Sequence, residues 1–285
     1  MYSLCKAYRF EIICVLPILL YLFVFTFLPV AGVFKISFTD SASGDFTFDN
    51  FKILLGQQEF HTAFINTLII ALGSLTLEIG LGLLLAMVLS FQGRRTGFLK
   101  SFFMLPLAIP TVVAAVIMSY MFSSSGWVNR ILLDLGIIGE KILWLSGDYK
   151  SLFTVIVADS WKVTPLVMLI LLAGLQSIDR QLFKAAKIDG AKPFYIFRRI
   201  TLPLLMPSIT AAVIIRGIDA FRIFSLALVL MGENLKVIGT FAYLEFSEYN
   251  NQYLSAASAL ILFLIIMTAV LVYIRFVGKK GLEAT

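Results

Sequence analysis

Six apolar runs, each long enough to cross a bilayer, constrain this 285-residue chain more than anything else in it: about 11–33, 63–92, 98–123, 151–176, 203–231 and 254–277. A transmembrane helix needs about 20 mostly apolar residues, and in lipid every backbone N–H must find its acceptor inside the segment. The predicted fold class is an all-α integral membrane protein with six transmembrane helices, forming a single membrane domain over residues 1–285. Composition agrees, because 60% hydrophobic and 14% charged residues with a mean hydropathy of +0.94 lie outside the range of soluble globules. The first run follows Lys6 and Arg9, is long, and carries no small-x-small cleavage pattern, so it reads as a retained span.

Six spans leave both termini on one side, and short basic loops stay cytoplasmic. One set of loops holds Lys6, Arg9, Arg94, Arg95, Lys100, Arg180, Lys184, Lys187, Lys192, Arg198, Arg199, Arg275, Lys279 and Lys280, fourteen bases against six in the other set, Lys35, Lys52, Arg130, Lys141, Lys150 and Lys236. Both termini and the loop 177–202 are therefore expected in the cytoplasm. The net charge of +6 follows from this topology and gives no reason to expect nucleic acid as a partner.

Several chemistries lack their parts. His61 is the only histidine, Cys5 and Cys14 sit in or near the inner half of the first span, and no GxxxxGK[ST] string occurs. No metal site, catalytic set or phosphate-binding loop is expected from these residues.

The cytoplasmic loop has more local detail. Asp179 suits an N-cap for a short helix with Ile178, Leu182 and Ala186 at four-residue spacing. Gly190 suits a terminator, and Pro193 can open a second short helix carrying Phe194 and Phe197 beside Arg198 and Arg199. Such a basic knob fits either a groove on another protein or an interfacial helix lying on anionic lipid.

Charges inside spans are costly unless they face a cavity or a partner. This chain keeps Glu78, Asp159, Lys162, Arg216, Asp219 and Arg222 there. Arg216, Asp219 and Arg222 recur every three residues, and Asp159 and Lys162 share that spacing. They fit a polar substrate path, or internal bridges in which Asp219 lies between its two arginines and Asp159 pairs with Lys162, with Glu78 serving packing or bridging.

The order Ala185, Ala186, Asp189, Gly190, Ala191, Phe197, Ile200, Leu202, Pro203 and Pro207 resembles the pattern EAAxxDGAxxxxxFxxIxLPxxxP of permease subunits of ABC importers. Phe64 to Leu68 is similar to the NTL opening of a core span in that family, and Leu105 to Pro110 to its LPxAIP segment. Trp161 with Pro165, and Arg216 to Phe224, are similar to segments of the carbohydrate-type permeases for maltose, trehalose and glycerol phosphate. The resemblance covers about residues 10–277 and implies the type I importer architecture, in the cytoplasmic membrane of a bacterium or archaeon.

That resemblance also implies partners: a second permease subunit, two ATPase subunits that bind ATP and Mg, and an extracytoplasmic substrate-binding protein. The chain itself would hold no cofactor. It implies ATPase coupling through Lys184, Ala185, Ala186, Asp189, Gly190, Ala191, Phe194 and Phe197, and a substrate-lining set of Leu107, Thr111, Lys162, Val163, Leu166, Asp219 and Arg222. Lys184 stands where the family carries Glu, Ser225 where close relatives often carry Asp, and Met231 to Asn234 replace a TGGGP-like loop. The expected function is permeation of a sugar or oligosaccharide by alternating access. Two alternatives stay open, a permease for a phosphorylated polyol or other anion, and a membrane enzyme using Glu78, Asp159 and Asp219 as acid and base. No nucleophile or metal set accompanies those acids.

Overall fold

The computed structural model describes residues 9–91 and 96–278. Cys5, Lys6, Arg94, Arg95, Lys279 and Lys280 lie outside the described residues. Among those described, the chain is mostly helical and has no strand, only an isolated antiparallel bridge between Thr39 and Phe46.

Helix α1 covers 9–37 as Arg9–Leu22, a π turn Phe23–Phe27, and Leu28–Ser37; α2 is Asp49–Gly56 and α3 is Gln58–Phe91. Next come α4 (Thr96–Ala108), α5 (Thr111–Met121), α6 (Trp127–Asp134), α7 (Tyr149–Ser177) and α8 (Arg180–Ile188). The span α9 (Pro193–Phe221) contains a π turn at Phe197–Thr201, and α10 (Ser225–Met231), α11 (Ile238–Ser247) and α12 (Gln252–Tyr273) complete the order. Five helices are long and apolar enough to cross a membrane, and α4 with α5 supplies a sixth crossing if that bent pair counts as one span.

Two of the expected spans change shape. The run 98–123 is broken at Ile109 and Pro110, with a bend of 92° between its halves. Pro110 has no N–H to give to the helix and drives the residue before it out of the α region. The run 203–231 is corrected at both ends, because the helix begins at Pro193 and ends at Phe221. Ile223 and Phe224 leave the helical conformation and α10 restarts at Ser225. Ile223 is buried in a cluster with Met118, Phe122, Leu226 and Leu230, so the chain stays in the apolar core where the helix stops. Hydropathy has no means of seeing it.

The chain divides into two compact units, residues 1–58 with 241–261, and 59–240 with 262–285. In the first, buried Asn50 donates to the carbonyls of Ser37 (3.0 Å) and Thr39 (2.9 Å), fastening α2 to the end of α1. The Asp40 carboxylate closes the intervening turn, and backbone N–H groups of Ser43 and Ala42 hold its pKa below the ordinary value. The Ser255 hydroxyl donates to the carbonyl of Ala242 (2.8 Å), joining α11 to the start of α12.

The second unit is a bundle around α3, α7 and α9. Lipid gives apolar side chains no reason to prefer protein over solvent, so close backbone packing must hold such helices together. Gly73 and Gly82 of α3 provide it: a Cβ on either would come within 2.7 Å of Ile156 or Val167 of α7. Leu171, Leu172, Leu205 and Ala212 carry the α7–α9 seam, and Ala71, Ala220 and Phe221 pack with Ile265, Ile266 and Ala269. Asn66 and Thr67 anchor the loop after α10, with Asn66 Nδ2 donating to the Lys236 carbonyl (2.9 Å) and Thr67 Oγ1 accepting from the Ile238 N–H (2.9 Å). Buried Asn129 binds α6 to the segment 142–144 through the Ile142 backbone and the Trp144 indole.

Candidate functional site

The charges inside the spans converge on Arg216, which is only 3% exposed. Its Nε and Nη2 donate to the two carboxylate oxygens of Glu78 at 2.7 and 2.8 Å, a bidentate fork between α9 and α3. Nη2 also donates to Asp159 Oδ2 on α7 at 3.2 Å. Three helices thus meet at one guanidinium, and a buried ion pair of this kind persists only when its hydrogen bonds are made. The bridge expected between Asp159 and Lys162 is not formed, because Asp159 pairs with Arg216 on another helix.

Asp219, one turn further along α9, does lie between two arginines. Its carboxylate is 3.7 Å from Arg216 Nη1 and 3.9 Å from Arg222 Nη2. Both separations exceed hydrogen-bond length, so the Asp219 oxygens keep acceptor capacity. Exposure rises along this series, from 4% for the Arg216 side chain to 47% for Asp219 and 65% for Arg222. Arg222 caps the C-terminal end of α9, where a cation also suits the helix dipole.

Of the other residues expected to line a substrate path, Leu107 and Thr111 flank the bend between α4 and α5, and Lys162, Val163 and Leu166 lie half-buried along α7. Among the seven expected residues, an ion pair within 4.0 Å joins Asp219 to Arg222 alone. Glu78, Asp159 and Arg216 formed no part of that set, although their cost inside a bilayer marked them.

At the loop, Asp179 is the N-cap of α8 and accepts from the Gln181 N–H at 2.9 Å. The helix closes with Ala191 N–H donating to the Ala186 carbonyl (2.9 Å) and Gly190 N–H to that of Lys187 (3.1 Å). Gly190 sits at φ +74°, the left-handed region where a side chain is costly. Pro193 takes the first turn of α9. Ile178, Ala186 and Ile196 are buried, whereas Leu182, expected on the same face, is exposed together with Ile188 and Phe194. A cleft between α8 and the start of α9 is lined by Asp189, Gly190, Lys192, Tyr195 and Arg199. The loop thus presents a capped helix with apolar side chains and bases that are exposed among the described residues.

Residues 78–280 match the family model described as binding-protein-dependent transport system inner membrane component. The chain belongs to this family. The matched region holds both the Arg216 cluster and the capped loop of this permease. The permease is 35% identical over 278 residues to the trehalose/maltose transport system permease protein MalF of Thermococcus litoralis, covering 93% of this chain and 92% of that one. It is 30% identical to the arabinooligosaccharides transport system permease protein AraP of Bacillus subtilis, over 93% and 88% of the two chains. In fold it is similar to a chain of a bacterial ABC transporter involved in import of the acidic polysaccharide alginate, with a TM-score of 0.86, 22% identity and 98% of each chain covered. The permease is a multi-pass membrane transport subunit, and its relatives are permeases.

Proposed function

We propose that this permease is one of two membrane subunits of an ABC importer for a neutral sugar or oligosaccharide in a bacterial or archaeal cytoplasmic membrane. The observation that carries the reading is the similarity along 93% of the chain to a trehalose/maltose permease. The half-exposed Asp219 carboxylate supports it, since an acceptor with unfilled capacity suits a hydroxyl-rich ligand. Leu107, Thr111, Lys162, Val163, Leu166 and Arg222 complete the proposed lining.

Both termini and the segment 177–202 face the cytoplasm in this scheme, where two ATPase subunits bind ATP and Mg. Lys184, Ala185, Ala186, Asp189, Gly190, Ala191, Phe194 and Phe197 form the surface that receives their movement. An extracytoplasmic binding protein delivers the sugar, and ATP-driven closure inside exchanges access between the two faces. Lys184 meets an acidic counterpart in place of the usual basic one.

Of the three span bases an anion could use, Arg216 is paired with Glu78 and Asp159, which leaves Lys162 and, beside Asp219, Arg222. The test is uptake by proteoliposomes holding the complex assembled with the proteins encoded beside it. ATP-dependent accumulation of maltose or trehalose is the expected result, and accumulation of sugar phosphates alone would overturn the reading.

A further inference from the structure

The guanidinium of Arg216 has its directions fixed from two sides. A planar fork held bidentately cannot turn about its own axis, and here Nε and Nη2 are held by Glu78 of α3 while Nη2 is shared with Asp159 of α7. What remains free is Nη1, and it points toward Asp219 at 3.7 Å. Two carboxylates hold one guanidinium, so the third carboxylate in line, Asp219, receives only part of its attraction. Asp219 is left loosely between Arg216 and Arg222 with its oxygens open.

We infer that Glu78 and Asp159 are positioning residues for transport: by occupying Arg216 they keep it from closing on Asp219, and so keep that carboxylate available to the transported sugar. The inference rests on the reading that Asp219 faces the sugar. Removing the charge of Glu78 frees Arg216 to pair with Asp219 one turn away on the same helix, at a spacing where acid and base readily meet. The substrate then competes with an arginine for the acceptor. The same fork ties the binding carboxylate to α3 and α7, so a shift of α9 against either helix changes how much of Asp219 the sugar can reach.

The test uses the assembled importer in proteoliposomes, with maltose and trehalose as probes. Glu78→Gln keeps the shape of the side chain, and on the strength of one charge-assisted hydrogen bond it should raise the half-saturating sugar concentration about tenfold. That rise should exceed any fall in maximal rate, and Glu78→Asp should recover part of the loss. A structural clamp alone would lower the amount of complex and leave the half-saturating concentration of the surviving fraction unchanged, which overturns the inference. If Glu78→Gln does not assemble, Asp159→Asn, which weakens the 3.2 Å contact with Arg216, is read in the same way, and failure of both to assemble also overturns it. Asp219→Asn separates the two levels. A raised half-saturating concentration there, with none in Glu78→Gln or Asp159→Asn, overturns the positioning role alone; no rise in any of the three overturns the sugar contact as well.

Discussion

The Arg216 cluster and the loop 178–199 both concentrate charge, and they do so in opposite ways. Around Arg216 each buried charge has its counterpart on another helix within hydrogen-bond reach. Along the loop, Arg180, Lys184, Lys187, Lys192, Arg198 and Arg199 are exposed, and among the described residues none has an acid within 4.0 Å. A bilayer charges several kcal/mol for an unpaired ion, so pairing inside is a condition of folding. Water makes no such demand at the loop, whose bases stay open to a partner. Substitution in the first region should act through the permease itself, and in the second through what docks on it.

The sharpest break of that contrast is Arg216→Met. It leaves Glu78 and Asp159 buried without their cation, at a cost of about 3–5 kcal/mol for a broken buried pair. We expect assembled complex to disappear from membranes, measured by its yield and thermal melting. Replacing Glu78, Asp159 and Arg216 together by leucine should restore much of the yield, since an apolar core of similar volume is often as stable, while transport stays lost.

A smaller effect is expected at Gly190. A Cβ there meets nothing within 4 Å, so Gly190→Val is penalised by backbone conformation alone. Forcing a branched residue to φ +74° costs about 1–2 kcal/mol, which the chain escapes by tilting the end of α8. Uptake and co-purification with the ATPase should fall about tenfold on that penalty, with yield of the membrane subunit retained. Asp179→Ala comes next, because losing an N-cap costs about 1 kcal/mol. Co-purification should weaken about fivefold for that energy.

The two regions were also unequally legible in the sequence. Asp179, Gly190 and Pro193 act on neighbours within a few residues, so capping chemistry located both ends of α8 and the start of α9. Arg216 meets Glu78 across 138 positions and Asp159 across 57. Spacing on a single helix pointed to Lys162 as the partner of Asp159 and had no access to the alternative. The spans themselves followed from length and hydropathy, but the break at Ile223 did not, since Ile223 is apolar and enters the core there. The break at Pro110 rests on a residue with no N–H to give, whereas the size of its 92° bend has no counterpart in the hydropathy of the run.

Lys184→Glu tests the loop most gently and reads the sign of its partner. The side chain is exposed, and an exposed ion pair is worth only about 0.2–1 kcal/mol, so binding to the ATPase should change by less than about fivefold. If the counterpart is acidic, as proposed, the reversal weakens co-purification at low salt, and the difference shrinks as salt rises, because separated surface charges are screened beyond about 10 Å at 0.1 M. Tighter association of Lys184→Glu would mean a basic counterpart, and the contact at this position would then be the usual one carried by other residues of this loop. Equal association at both salt concentrations would place Lys184 outside the interface and leave Ile188, Phe194 and the capped end at Gly190 to carry docking by shape and apolar contact.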